Sequence, residues 1–268
     1  MDCLPLLASV LGNQYGVTVE IGGSEAYTDG KTIHLPALPL DSEPELITMI
    51  KGYVDHESAH IRETDFEILR KANLTPFQHN LFNILEDWRV EERLSARYPG
   101  CRENFRYLIQ KLFGTQKAGD TNPAFSILNT ILLTVRSWSV NAIIPRRESV
   151  AKTMERHYPG LRKALDGILD RVRDSCKDTG DSIQYALELE QAIFVWNLEQ
   201  KNITEPEKKN LGAPQDKTVA SSNASLDSLA KAVGALSSDE LPRGLGEALA
   251  ERIELNRPKD RQKQLRVA

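Results

Sequence analysis

His56-Glu57-Ser58-Ala59-His60 sets two imidazoles four residues apart with a carboxylate directly after the first. On a helix, residues at that spacing share one face, about 5–6 Å apart, so both rings reach one metal ion. Glu57 then reaches a water at that ion. Zinc lowers the pKa of such a water towards neutrality, and a neighbouring carboxylate takes its proton as it attacks a carbonyl. The spacing predicts a zinc-dependent hydrolase, a metallopeptidase in the first instance. His56 and His60 are its metal ligands and Glu57 its general base.

A catalytic zinc takes a third protein ligand and keeps a position open. Asn83-Ile84-Leu85-Glu86-Asp87-Trp88-Arg89-Val90-Glu91 is the obvious source. Its acids stand among apolar residues, and a carboxylate carried into such surroundings demands a metal or an arginine partner. Glu86 is the first choice as ligand and Asp87 the alternative. The acid left over, with Glu91, orients a ligand histidine through its other ring nitrogen. Arg89 pairs with one of these acids, Asn83 belongs to the same surroundings, and Asp65 is a weaker candidate. Candidates for stabilising the oxyanion of a hydrolase are Tyr53, Tyr98, Tyr107, His157 and Tyr158. The last two are preferred because they follow a helix and precede Pro159-Gly160.

Helices must carry these groups. The apolar pattern predicts one over 43–71, capped by Asp41 or Ser42, in which Gly52 permits close packing. Thr75-Pro76 opens another over 76–98. More follow over 103–117, 122–140, 147–157, 160–176 and 181–203, with Trp88, Trp138 and Trp196 in helix packing and His79 on a surface. Residues 17–22 and 31–36 alternate and are rich in β-branched side chains, with turn residues between them. They read as a small hairpin or two adjacent short strands. Residues 31–35 are placed to act as an edge strand that pairs with an extended peptide, with His34 near the site. The fold class is mainly α (α+β): a zincin-like helical domain over 1–203 with a small N-terminal β-hairpin or sheet. A flexible linker over 204–225 and a short helical C-terminal segment over 226–268 with a basic tail complete the chain.

With 268 residues, 40% of them hydrophobic, the chain can bury one sizeable core. A net charge of -4 gives no sign of nucleic-acid binding. Cys3, Cys101 and Cys176 are odd in number and lack CxxC spacing, which argues against a disulfide framework or a cysteine-bound zinc. The apolar run Leu4–Leu11 is far shorter than a membrane span. Asp2 stands where a signal peptide carries positive charge. The expectation is a soluble cytoplasmic protein.

His56-Glu57-Ser58-Ala59-His60-Ile61-Arg62-Glu63-Thr64-Asp65-Phe66 followed by the Asn83–Glu91 block resembles the HExxH-containing, CobT-like relatives of the cobaltochelatase CobT subunit, many of them phage-related. The resemblance is good over about residues 53–93. His56, Glu57, His60, Asn83, Glu86, Asp87, Arg89 and Glu91 match the family's HExxH and N-x-x-E-D-x-R-[IV]-E blocks. It implies a gluzincin-like zinc metallopeptidase whose third ligand comes from the second helix, although the sequence around that acid departs from the thermolysin pattern. It also implies partners: a protein or peptide substrate, a MoxR-type AAA+ ATPase, or a von Willebrand A domain, which this chain does not itself carry. CobT itself does not look like an HExxH enzyme, so chelatase activity is not implied. The competing reading is an adaptor or pseudoenzyme that binds such a partner.

Overall fold

The structure, a computed structural model, describes residues 4–13, 17–22, 27–28, 30–35, 44–114 and 123–208. Their order is α1 (Leu4–Leu11), β1 (Thr18–Ile21), β2 (Tyr27–Thr28), β3 (Thr32–Leu35), α2 (Pro44–Glu63), α3 (Phe66–Ala72), α4 (Pro76–Arg97) and α5 (Pro99–Phe113). Then come α6 (Pro123–Ser137), a 3-10 turn (Asn141–Ile143), α7 (Ile144–His157), α8 (Leu161–Ser175) and α9 (Thr179–Lys208). The fold is mainly α with a small N-terminal sheet, as the sequence pattern requires. No helix among the described residues is long and apolar enough to cross a membrane. Cys101 and Cys176 are free thiols.

Helix α2 is enclosed along most of its length. Leu46, Met49, Ile50, Tyr53, Val54, Ala59 and Ile61 are buried, and so are the polar residues Asp55, His56, Glu57 and Ser58. Gly52 makes one side of this enclosure possible. A Cβ there would stand 2.9 Å from the Asn104 carbonyl oxygen of α5, so only glycine admits this approach. Helix α4 opens with a full capping box, in which Thr75 and Gln78 bond each other's backbone N–H. It packs on α2, α5, α6 and α9. His56 meets Glu91 and His60 meets Asp87, a register in which numbers rise along α2 as they fall along α4. The two helices are therefore antiparallel.

Three expectations change. The helix predicted over 43–71 is two helices, broken at Thr64-Asp65. The Asp65 carboxylate accepts from the backbone N–H groups of Glu67 and Ile68 and caps α3. Asp65 N–H itself donates to Thr179 Oγ1 at 2.9 Å. An aspartate that bonds its own backbone competes with helix continuation, and the periodicity of apolar residues does not register this. The second change concerns residues 31–35, which form the centre of the sheet and not an edge. The strand order is β1-β3-β2, with β1 parallel and β2 antiparallel to β3. The short β2, inside the stretch that reads as a turn, closes the edge expected to be free. Helix α9 runs past the predicted boundary at 203 to Lys208. The capping pair Asp41 and Ser42, the rest of the linker and the C-terminal segment lie outside the described residues.

Candidate metal centre

The α2–α4 pair brings His56, His60 and Asp87 together. Their potential ligand atoms all lie within 4.8 Å of one another. Asp87 Oδ1 is 3.2 Å from His60 Nε2 and 3.9 Å from His56 Nε2. A tetrahedral zinc with bonds of about 2.0–2.2 Å sets its ligand atoms roughly 3.3–3.6 Å apart, so small shifts of these side chains admit the ion. His56 Nδ1 lies 2.8 Å from Glu91 Oε1. Arg136, from α6, donates to Glu91 Oε2 and to Asp87 Oδ2, both at 2.7 Å. With the guanidinium on its other oxygen, the Glu91 carboxylate acts only as an acceptor. His56 therefore carries its proton on Nδ1 and turns the Nε2 lone pair towards Asp87. The donor set of two imidazoles and a carboxylate suits zinc.

The electrostatics agree with a cation site. Asp87 is held well below the usual carboxylate range: burial would raise its pKa, but His56, His60 and Arg136 together outweigh that. The His60 pKa is raised, because its bond to Asp87 and the charges of Asp87, Glu57 and Glu86 overcome burial. Glu57, Asp87 and Glu91 are balanced only by Arg136 among these groups. With neutral imidazoles the pocket keeps excess negative charge. His56 and Glu57 are 3% and 6% exposed, while the His60 and Asp87 side chains are 16% and 13% exposed. Solvent thus reaches the cluster from the His60–Asp87 side.

Glu86, the first choice for third ligand, is not in this cluster. It is fully buried on another side of α4 and accepts five hydrogen bonds. Arg89 Nη2, Thr179 and Thr64 bond Oε1, while Arg89 Nε and Ser182 bond Oε2, at 2.7–2.9 Å. Against burial, these donors lower its pKa. Helical geometry explains the exchange: adjacent residues point about 100° apart, so of two neighbouring acids only one can face α2. Asp87 faces it. Arg89 pairs with Glu86. Asn83, half-buried one turn before Asp87, adds no hydrogen bond to the cluster. Asp65 is a helix cap.

The preferred oxyanion groups are also elsewhere. His157 is exposed. Tyr158 is buried against Trp196 of α9, ring centroids 5.7 Å apart, and burial pushes its phenol up to about 12. Tyr98 stacks under Arg62 and Tyr107 under Lys111. His34 stacks on Tyr27 and faces Glu20. Tyr53 is the phenol at the site. It sits one turn before His56, with ring centroids 6.1 Å apart. Its hydroxyl is buried beside the Glu57 carboxylate without a well-formed hydrogen bond. Burial and then the neighbouring Glu57 carboxylate raise its pKa well above the ordinary value. Such an orphaned donor beside a candidate base suits a site that receives another oxygen.

Sequence reasoning missed Thr64, Arg136, Thr179 and Ser182. Arg136 alone left a signal. It ends the run Ile127-Leu128-Asn129-Thr130-Ile131-Leu132-Leu133-Thr134-Val135, and an arginine carried into a core by such a helix needs carboxylates to meet it.

The sequence profile of the family described as "Cobalamin biosynthesis protein CobT" matches residues 2–233, most of the chain. No curated protein and no solved structure matches it.

Proposed function

The chain belongs to the CobT family, and from the geometry of the α2–α4 site we propose that it is a zinc-dependent hydrolase of the HExxH type acting on peptide bonds. The observation that carries this reading is the convergence of His56 Nε2, His60 Nε2 and Asp87 Oδ1 within 4.8 Å, with Glu57 one position from the first ligand. Zinc, when bound, supplies Lewis acidity that acidifies a water and polarises a carbonyl. Glu57 accepts the proton of the attacking water and passes it to the leaving amine. The Tyr53 hydroxyl donates to the oxygen that becomes negative. Glu91 holds the His56 ring, and Arg136 holds Glu91 and Asp87. A peptide that docks by main-chain pairing would use the outer edge of β2, the edge strand that packs on α2.

Elemental analysis of the wild-type chain beside His56→Ala tests the metal. About one zinc per chain, absent from the variant, is expected; equal zinc in both rejects the site. Glu57→Gln is expected to keep its zinc and to lose about 10²–10⁴-fold in cleavage of a peptide library. Undiminished cleavage would remove Glu57 from its role.

Family membership favours a second reading, because the family's description names cobalamin biosynthesis and no hydrolysis. In it the chain is a cytoplasmic adaptor for a partner such as a MoxR-type AAA+ ATPase or a von Willebrand A domain protein. Partner capture that requires residues 205–268 but not Glu57 would favour the adaptor. Cleavage that requires Glu57 but not those residues would favour the hydrolase.

A further inference from the structure

We propose that Thr64 and Glu86 are positioning residues for His60, keeping a proton on its Nδ1 so that Nε2 presents a lone pair to the metal position. The inference rests on the metal reading above and concerns the same site. It follows from counting donors and acceptors. All five hydrogen bonds to Glu86 come from donors, including two guanidinium N–H groups and the Thr179 and Ser182 hydroxyls. A carboxyl so surrounded is an acceptor only. Thr64 has one hydroxyl proton, and it goes to Glu86 Oε1 at 2.9 Å. The Thr64 oxygen is thereby left to accept, and His60 Nδ1 stands 3.0 Å from it. That nitrogen must donate, so Nε2, which bonds Asp87 Oδ1 at 3.2 Å in the metal-free chain, is the atom that can exchange that bond for an ion. His56 reaches the same state through Glu91. Each imidazole thus leans on a buried carboxylate: His56 directly, His60 through one hydroxyl.

The break between α2 and α3 builds the relay. Thr64 N–H closes the last turn of α2 on the His60 carbonyl at 2.9 Å, and the next residue is pinned to Thr179 of α9. The chain stops being helical at the residue whose hydroxyl must sit between His60 and Glu86. Thr179 and Ser182, in the first turn of α9, then fix Glu86. His60 is oriented by α9 although it has no direct hydrogen bond to it.

The test compares Thr64→Val, which keeps the shape and removes the hydroxyl, with Thr64→Ser, which restores it. Zinc affinity is measured by competition with a chromogenic chelator. The protonation of His60 Nδ1 is read in the metal-free chain from ¹H–¹⁵N imidazole spectra. Thr64→Val is expected to bind zinc about 10–100-fold more weakly and to lose the low-field Nδ1 proton signal of His60. Thr64→Ser should recover both. Wild-type affinity in Thr64→Val, or a wild-type His60 with no proton on Nδ1, overturns the proposal. If the wild type takes up no zinc, the metal reading fails by itself. The metal-free spectrum still decides the role of Thr64.

Discussion

Glu86 and Asp87 are neighbours in sequence with opposite surroundings, so replacing each in turn separates metal binding from stability. In Glu86→Gln an amide replaces a fully buried carboxylate that accepts five hydrogen bonds. Turned one way, the new NH2 group meets Arg89 Nη2, Thr179 and Thr64; turned the other, Arg89 Nε and Ser182. Either way donors face donors, and Arg89, itself 3% exposed, loses its countercharge. Breaking a buried pair costs about 3–5 kcal/mol. At about 2–4 °C per kcal/mol for a domain of this size, the melting temperature should fall roughly 6–20 °C. Zinc binding should survive with a loss no greater than about 10–100-fold, the range for partners outside the ligand shell. In Asp87→Asn the balance reverses. Asp87 is partly exposed, and Arg136 keeps Glu91, so the cost is about 1.5–3 kcal/mol. One of the three proposed ligands is gone, and zinc affinity should fall beyond the 10–100-fold range. Thermal melts of the metal-free chains and chelator competition supply both numbers. Glu86→Gln melting like the wild type while failing to hold zinc, beside Asp87→Asn with normal zinc, would return the ligand role to Glu86.

Tyr53→Phe removes a buried hydroxyl that lacks a well-formed hydrogen bond, so the metal-free protein should gain stability, by up to about 1–3 kcal/mol, while hydrolysis slows. A lower melting temperature in that variant would mean that the hydroxyl is bonded. Burial raises the Cys101 thiol to about 12 and the Cys176 thiol to about 11. At pH 8 both are therefore almost wholly protonated, and in a Cys3→Ser chain iodoacetamide should label neither until denaturant is added. Labelling of the folded chain at the rate of a free thiol would refute this.

The helices and the motif were legible because both rest on local spacing. The His56–His60 pair and the helix start at Thr75-Pro76 are written within windows of a few residues. Glu86 against Asp87 was not legible, since the choice depends on the rotation of α4 about its axis. Arg136 and Thr179 set that rotation from 49 and 93 positions away in pairing with Asp87 and Glu86. The break at Thr64 was hidden because Ile61, Ile68 and Leu69 continue an apolar pattern across it, while the cap that ends the helix is a single aspartate. The central position of β3 depends on a two-residue strand, too short to stand out from a turn.

Arg136 gives the cluster a property that a bare set of ligands would lack. Glu57, Asp87 and Glu91 in one enclosed space repel one another, and without a cation the three would spread apart. The guanidinium, 1% exposed, bridges Asp87 Oδ2 and Glu91 Oε2. It thereby fixes both carboxylates by the oxygens that do not face the histidines. Oδ1 of Asp87 and Oε1 of Glu91 stay aimed at the imidazoles whether or not an ion is present. The arginine also lowers the attraction for a dication, so on the proposed zinc reading affinity is exchanged for geometry: fewer side chains would have to move on binding. On the other flank Arg89 does the same for Glu86, and through Thr64 for His60. The two arginine–carboxylate pairs stand on opposite sides of α4 and hold the two histidines from outside. Helices α6 and α9 supply the partners that finish this frame, so the two-helix motif depends on most of the described fold to keep its shape.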